Sequence, residues 1–233
     1  RIIDVGCDVE SARLAVELAA ADSQVRAAVA LHPNDAARRF LTGGERALED
    51  DLAEIEVLVD DPGVVAVGET GLDYFRTRDE EGRRAQERSF RSHIRWAHRS
   101  GKTLMIHDRD AHREVIELLE ADGAPDRTVF HCFSGDADMA RHCAERGYYL
   151  SFAGNVTFKN AQNLRDALAV TPLERILVET DAPFLTPTPF RGRPNAPYLV
   201  PVTVRFMAAE LDIDLDAFCA QLAANTLDVY GAF

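Results

Sequence analysis

The stretch Val64–Glu69, which reads VVAVGE, decides the fold. Its four consecutive apolar residues indicate a strand that is buried on both faces, and such strands are typical of parallel sheets covered by helices. The segment 61–63 (DPG) comes directly before it and predicts a turn. Because the strand ends on Glu69, a carboxylate is expected at the carboxyl end of a buried strand.

Similar short apolar runs alternate with longer amphipathic stretches along the rest of the chain. The predicted strands are 1–6, 25–31, 64–69, 103–107, 127–132, 148–153 and 175–181, and the predicted helices are 11–21, 45–60, 80–100, 110–122, 136–146, 160–169, 200–211 and 215–230. This pattern predicts one α/β domain over residues 1–233 and a TIM (β/α)8 barrel. A closed barrel needs eight strands and only seven are counted. A doubly wound open sheet is the structural alternative, although its Gly-rich dinucleotide fingerprint is not found.

Composition limits the classes of function. The 233 residues are 46% hydrophobic and 28% charged, as in globular proteins, and no apolar run approaches the roughly 18 residues that a membrane span needs. The net charge of −13 argues against broad duplex binding, because phosphate contacts need a basic surface. The four cysteines are widely spaced and form no C-x-x-C pair, which predicts thiols in a reducing cytoplasm.

Four predicted strands end on side chains that can bind metals: Glu69, His107, His131 and Asp181. In barrels the carboxyl ends of the strands form the active-site face, so these side chains are expected to converge. Each residue alone is more often a hydrogen-bonded polar group, but four at equivalent strand ends favour a metal site. Two imidazoles and two carboxylates suit one or two divalent ions such as Zn, Mn or Mg.

The segments around these residues resemble the TatD family of metal-dependent deoxyribonucleases, which belong to the amidohydrolase-like barrels. The matching strings are GETGLDY (68–74), IHDRDA (106–111), FHCFSG (130–135) and ETDAPFL (179–185). The resemblance implies that Glu69 binds or bridges the metals and that His107 and His131 bind the second ion. It also implies that Asp181 binds metal and handles the proton of the attacking water, so Asp181 and Glu69 are the catalytic candidates.

Two departures from the family pattern concern metal and substrate. The segment 31–33 (LHP) resembles the family's His-Pro-His segment, which implies that His32 contacts the substrate, but Asn34 stands where the second His is expected. Family members usually begin with a strand that carries a His-x-His pair, and this sequence opens at Arg1 without it. The expectation is therefore that the first strand of the barrel is missing from this chain, which would weaken one metal position.

An acidic protein can bind a polyanionic substrate if positively charged side chains lie near the site, and three arginines are candidates for this role. Arg109 follows His107 closely, and Arg191 and Arg193 lie in the Pro-rich stretch 186–201 after Asp181. Guanidinium groups suit phosphate geometry, so these three arginines are candidate substrate contacts. Pairing of Arg109 and Arg191 with surface carboxylates is the alternative.

The function predicted from these observations is hydrolysis of DNA phosphodiester bonds by metal-activated water, as an exonuclease on single-stranded ends. A first alternative keeps the barrel and the metal but changes the bond to that of another small substrate, because a fold does not fix its substrate. A second alternative is a non-catalytic, degenerate barrel. No membrane and no obligate protein partner are predicted.

Overall fold

The computed structural model describes residues 1–232, in which strands and helices alternate. The strands are β1 (Ile2–Gly6), β2 (Val25–Val29), β3 (Val64–Asp73), β4 (Thr103–Arg109), β5 (Thr128–Phe130), β6 (Tyr149–Phe152) and β7 (Ile176–Val178). The helices are α1 (Val9–Ala21), α2 (Pro33–Val59), α3 (Glu80–Ser100), α4 (His112–Asp122), α5 (Ala137–Glu145), α6 (Gln162–Val170), α7 (Val200–Glu210) and α8 (Leu215–Tyr230). All seven predicted strands occur within residues 1–232, and the α/β class is confirmed.

The chain divides into two compact units. The first comprises residues 1–128 with the C-terminal residues from Tyr230 onward, and the second comprises residues 129–229. Each unit is described by itself below. The interpretation of residues 1–233 as one domain stays a prediction.

In the first unit β1, β2, β3 and β4 pair in chain order, and all are parallel. The pairing of β3 with β4 shifts register between Val67 and Thr70, because β3 has one residue more than β4 over this stretch. Such a bulge bends the strand and redirects the side chain it carries, which here is Glu69. Val67 and Ile106 are fully buried, as expected for a sheet covered on both faces.

In the second unit β5, β6 and β7 form a parallel sheet, again in chain order. The buried side chains of Phe130, Phe152 and Leu177 supply its core. From α8, the buried Asn225 donates from Nδ2 to the carbonyl oxygens of Leu173 and Ile176, at 2.7 Å each. These bonds fix the position of α8 against the beginning of β7.

The largest differences from the predicted boundaries are at α2 and β3, while β2, β5 and β7 each end two or three residues before their predicted ends. Helix α2 begins at Pro33 rather than at residue 45, and Gly44, with φ 73° and ψ −172°, breaks its helical path. The first part was missed although it has a sound start, since Pro33 occupies the first turn and His32 Nδ1 accepts the N–H of Asn34 at 3.1 Å. Strand β3 runs on to Asp73 instead of ending at Glu69. Within residues 1–232, no helix combines the length and apolarity that crossing a membrane requires.

Candidate metal centre

The first cluster of potential metal ligands lies in the first unit and consists of His32, Glu69 and His107. His32 Nε2 lies 3.5 Å from Glu69 Oε1, and His107 Nδ1 lies 3.8 Å from Glu69 Oε2. The two imidazole rings meet edge to face, with their centroids 4.5 Å apart. The Glu69 carboxylate is therefore flanked by two histidines.

The backbone brings Glu69 and His107 together because a glycine permits a close approach of β3 to β4. Gly71 has φ 137°, and a Cβ at this position would lie 2.1 Å from the carbonyl oxygen of His107. Any side chain there would push the two strands apart. Gly71 is thus required for the short distance between Glu69 and His107.

The orientation of the His107 ring is set by Asp73, the last residue of β3. The His107 Nε2 atom lies 3.3 Å from Asp73 Oδ2, while Asp73 Oδ1 accepts the backbone N–H of Arg76 at 2.8 Å. Burial opposes ionisation of Asp73, but the hydrogen bonds from His107, Arg76 and Asn34 outweigh it and hold its pKa well below the usual range. An ionised carboxylate only accepts, so His107 carries a proton on Nε2, and its Nδ1 edge faces Glu69.

His32 has the opposite arrangement. Its Nδ1 accepts the N–H of Asn34, so the neutral ring carries its proton on Nε2, the atom that faces Glu69. In this state His32 can donate a hydrogen bond to Glu69 or to a substrate oxygen, but it cannot bind a cation. The proton position favours Glu69 and His107 as the candidate metal ligands of this cluster, and substrate contact by His32 stays a prediction.

A fully buried histidine on α3 supports the backbone next to His32. His93 Nε2 accepts the N–H of Leu31 at 3.0 Å, and His93 Nδ1 donates to the carbonyl oxygen of Ser89 at 2.7 Å. Desolvation by burial lowers the pKa of His93 to about 4, although the bond to Ser89 opposes this shift. A neutral ring with one donor and one acceptor therefore holds the end of β2 in place.

The second cluster lies in the second unit and consists of His131, Glu179 and Asp181. His131 Nδ1 lies 2.9 Å from Glu179 Oε1, and His131 Nε2 lies 3.9 Å from Asp181 Oδ1. The carboxylate of Glu179 lies within ion-pair distance of Nδ1, and the Nε2 edge of the ring faces Asp181. Asp181 has φ 56°, a left-handed conformation that Asp tolerates better than most residues and that is common at functional sites.

The segment after Asp181 is fixed to the end of β7 by a buried amide. Asn195 donates from Nδ2 to the carbonyl oxygens of Thr180 and Phe184, at 2.7 and 2.8 Å. The backbone N–H of Asn195 also donates to the carbonyl oxygen of Pro183 at 3.0 Å. One side chain thus determines the path of the chain on both sides of Asp181.

The structure places the four predicted ligands in two pairs: Glu69 with His107 in the first unit, and His131 with Asp181 in the second. The meeting of all four around shared ions stays a prediction. In each pair an imidazole nitrogen faces a carboxylate, which is a donor set that Zn, Mn and Mg accept. The residues therefore fit divalent metal ions.

Two of the candidate arginines stack on aromatic rings. Arg109 lies over the ring of Phe75, and Arg191 lies over the ring of Phe158, each with its guanidinium carbon 4.0 Å from the ring centroid. Neither forms an ion pair with a carboxylate within residues 1–232, and the Arg193 side chain is exposed. Other arginines do pair with Asp or Glu, and these include Arg13, Arg38, Arg39, Arg88 and Arg99.

Sequence reasoning missed the residues that support the ligands. These are Asn34, Asp73, His93 and Asn195, none of which follows an apolar run in the way the ligands do. Asp73 could have been identified, because it lies in the GETGLDY segment (68–74), but the predicted strand ended four residues before it. His93 was expected to pack or to be exposed, and its bond to Leu31 has no signal in the sequence.

Sequence similarity identifies the family of this chain. The sequence model of the family described as TatD related DNase matches residues 1–231. The chain is 45% identical to an uncharacterised metal-dependent hydrolase, TatD, of Mycobacterium tuberculosis, over 99% of this chain and 85% of that protein. It is 40% identical to the uncharacterised metal-dependent hydrolase YabD of Bacillus subtilis, over 86% of this chain and 75% of that protein.

Solved structures agree with the sequence relatives. The TatD homologue YJJV of Escherichia coli is similar with a TM-score of 0.89 at 26% identity, over all of this chain and 87% of that one. An uncharacterised amidohydrolase of Saccharomyces cerevisiae gives a TM-score of 0.82 at 15% identity, covering 98% of this chain and 88% of that one, which shows a shared fold. The predicted TIM-barrel-like fold is confirmed. The chain belongs to the TatD family of metal-dependent hydrolases.

Proposed function

We propose that this hydrolase cleaves phosphodiester bonds in DNA, acting as an exonuclease on single-stranded ends. The observation that carries the proposal is the pair of guanidinium groups of Arg109 and Arg191, each stacked on a Phe ring next to a ligand segment and free of carboxylate partners within residues 1–232. A family described as TatD related DNase supports the same reaction.

The residues that would hold the divalent ions are Glu69 and His107 in the first unit and His131 and Asp181 in the second. A bound divalent cation supplies Lewis-acid polarisation of a phosphoryl oxygen and lowers the pKa of water. Asp73 and Glu179 keep the histidine rings in the orientation that binding needs, because Asp73 accepts from Nε2 of His107 and Glu179 lies 2.9 Å from Nδ1 of His131.

Proton transfer is assigned to Asp181. Its carboxylate is partly exposed and lies on the chain segment that Asn195 fixes, so it can reach a water molecule without rearrangement. A carboxylate oxygen of Asp181 accepts the proton, in the role of a general base, as the water oxygen bonds to phosphorus and the bond from phosphorus to the leaving sugar oxygen breaks. His32, with its proton on Nε2, is placed to donate to a substrate oxygen.

Phosphate binding is assigned to Arg109, Arg191 and Arg193. A guanidinium held flat on an aromatic ring loses little freedom when it binds, and its N–H edge stays available for two phosphate oxygens. In the same segment Phe184 is 67% exposed and offers a ring on which an unpaired base can stack. A single strand can use both features, since its phosphates and its bases are accessible.

The proposed location is the cytoplasm. None of the four cysteines, all within the described residues, forms a disulfide. Disulfides are rare in reducing compartments, so their absence here favours the cytoplasm over an oxidising compartment.

The test is cleavage of end-labelled single-stranded DNA with Mg²⁺ or Mn²⁺ added. We expect release of mononucleotides by the wild-type protein and loss of at least about 100-fold in rate for Glu69→Gln, the range typical of a lost catalytic interaction. Glu210→Gln, an exposed residue at the end of α7, is the matched control and should retain full activity. Equal cleavage by Glu69→Gln and wild type would contradict the assignment.

Phosphate competition and metal content distinguish DNA cleavage from the two alternative functions. Inorganic phosphate should compete with DNA if the arginines bind phosphate, whereas an enzyme for amide or lactone substrates would be indifferent to it. A non-catalytic barrel would bind no stoichiometric divalent metal, and chelation would change none of its properties.

A further inference from the structure

We propose that Asn34 is a positioning residue of the metal centre, which acts by holding the Asp73 carboxylate that orients His107. The inference rests on the metal site proposed above and adds a residue to it. Asn34 stands at the position of the second His in the family's His-Pro-His segment.

The contacts form a continuous path from α2 to β4. Asn34 Nδ2 donates to Asp73 Oδ2 at 2.9 Å, and the same oxygen accepts from His107 Nε2 at 3.3 Å. Asp73 is only 1% exposed, so water cannot replace a lost donor easily. With Oδ1 occupied by the N–H of Arg76, all the partners of this carboxylate are donors.

The amide of Asn34 is itself held in one orientation. The Thr77 hydroxyl donates to Asn34 Oδ1 at 3.4 Å and accepts from Gln86 Nε2 at 2.8 Å. The oxygen of the amide therefore faces Thr77, and its NH₂ group faces Asp73. Gln86 also accepts the backbone N–H of Asp73 at 3.0 Å, which fixes the carboxylate from a second side.

The position of Asn34 explains why removing its side chain would affect the orientation of His107. Asn34 lies in the first turn of α2, directly after His32 and Pro33, and is separated from Asp73 by 39 residues in the sequence. It therefore joins the segment after β2 to the ends of β3 and β4. Without its N–H donors Asp73 Oδ2 would have His107 as its one side-chain donor, and both side chains would gain rotational freedom.

The experiment combines the proton position of His107 with binding of Mn²⁺ alone. In the metal-free wild-type protein, ¹⁵N NMR of the imidazole nitrogens should show the Nε2–H form of His107. Asn34→Leu should move part of the population to the Nδ1–H form and weaken Mn²⁺ binding about 10-fold, as is usual for partners of ligating histidines. Asp73→Asn should weaken Mn²⁺ binding at least as much.

The double variant shows whether the two residues act in sequence. If Asn34 acts through Asp73, Asn34→Leu should add no further loss in the Asp73→Asn background. The control is Asn163→Leu, because Asn163 is exposed and occupies the same second position of its helix, α6. It should change neither the His107 spectrum nor Mn²⁺ affinity.

Three results would overturn the proposal: an Nδ1–H form of His107 in the wild type, a folded Asn34→Leu protein with unchanged tautomer and Mn²⁺ affinity, or additive losses in the double variant. If Asn34→Leu does not fold, the wild-type spectrum and Asp73→Asn still decide. A protein that cleaves no DNA but shows the expected tautomer and affinity changes would contradict the proposed function and retain the role of Asn34.

Discussion

The two ligand histidines are held in opposite senses by neighbouring carboxylates. Asp73 accepts from Nε2 of His107, whereas Glu179 Oε1 lies 2.9 Å from Nδ1 of His131. In both rings the other nitrogen faces a second carboxylate, that of Glu69 or Asp181. The choice of ring nitrogen is thus made by the protein before any ion binds, which lowers the cost of ordering the ligands.

At the residue scale, Asp181→Asn should reduce the turnover of single-stranded DNA by about 10² to 10⁴-fold, because an amide cannot accept the proton of the attacking water. The rate should be measured at saturating substrate. Asp212→Asn is a matched control, since Asp212 has a similar left-handed backbone, with φ 53°, but lies exposed between α7 and α8. Equal losses in both variants would indicate a backbone effect instead of proton transfer.

The buried His93 predicts a pH dependence of stability. Its pKa is lowered from 6.5 to about 4 in the folded protein. Between pH 4 and pH 6.5 the unfolded chain therefore binds a proton at His93, whereas the folded protein does not. The contribution of neutral His93 is therefore complete above about pH 6.5 and is lost as the pH falls toward 4. At roughly 1.4 kcal/mol per pKa unit it amounts to about 3 kcal/mol.

Denaturant unfolding between pH 4 and 8 measures this effect. His93→Gln keeps an acceptor for the N–H of Leu31 but does not titrate, so its free energy of unfolding should fall less steeply with decreasing pH than that of the wild type. His98→Gln changes an exposed histidine of the same helix and should leave the slope unchanged. Parallel curves for His93→Gln and the wild type would contradict the prediction.

Among the helices, strands and loops, two local features fix the backbone that carries the candidate ligands. The bulge in β3 redirects Glu69, and Asn195 ties the segment after β7 to the strand end that carries Asp181. Both features place a side chain through the backbone beside it. Small shifts of these backbones would therefore lower the rate even though every reacting side chain is retained.

Asn195→Ala tests the second of these features. It leaves the carbonyl oxygens of Thr180 and Phe184 without their donor, so we expect faster amide hydrogen exchange in residues 180–199 and a fall in turnover of about 10-fold or more. Asn163→Ala, at an exposed position of α6, should change neither property. Unchanged exchange in Asn195→Ala would show that other contacts fix this segment.

For the whole molecule, a net charge of −13 must be compatible with the polyanionic substrate proposed above. This charge argues against general attraction of DNA, so binding depends on local cations that carboxylates do not neutralise. Arg109 and Arg191 meet this condition, because aromatic rings hold them in place of Asp or Glu. An acidic surface would also disfavour the long duplex contacts that non-specific nucleases use.

The salt dependence of binding follows. With three arginines on phosphates, the logarithm of the binding constant for a single-stranded oligonucleotide should fall with a slope of about −2 against the logarithm of the salt concentration. Fluorescence anisotropy with Asp181→Asn, which should not cleave, measures it. Arg109→Gln should make the slope shallower by about 0.7, whereas Arg13→Gln, which removes an arginine paired with Glu54, should not.

The sequence by itself determined the elements and the ligand candidates. Hydrophobic runs predict strands because the pattern of apolar side chains along the sequence indicates which segments become buried. Glu69, His107 and His131 can be recognised because each ends such a run. The same reasoning failed for the first part of α2, where polar residues from Asn34 onward mask a helix that begins at Pro33. It also ended β3 before Asp73, because Gly68 and Gly71 interrupt the apolar pattern.

Only the tertiary structure decided which partners hold the ligands. Asp73 meets His107 across 34 residues of sequence, Asn34 meets Asp73 across 39, and His93 meets Leu31 across 62. These contacts depend on strand register, on one extra residue in β3 and on the close approach that Gly71 allows. Hydrogen bonds need distances within a few tenths of an ångström, and hydrophobic periodicity specifies a buried face but not that spacing.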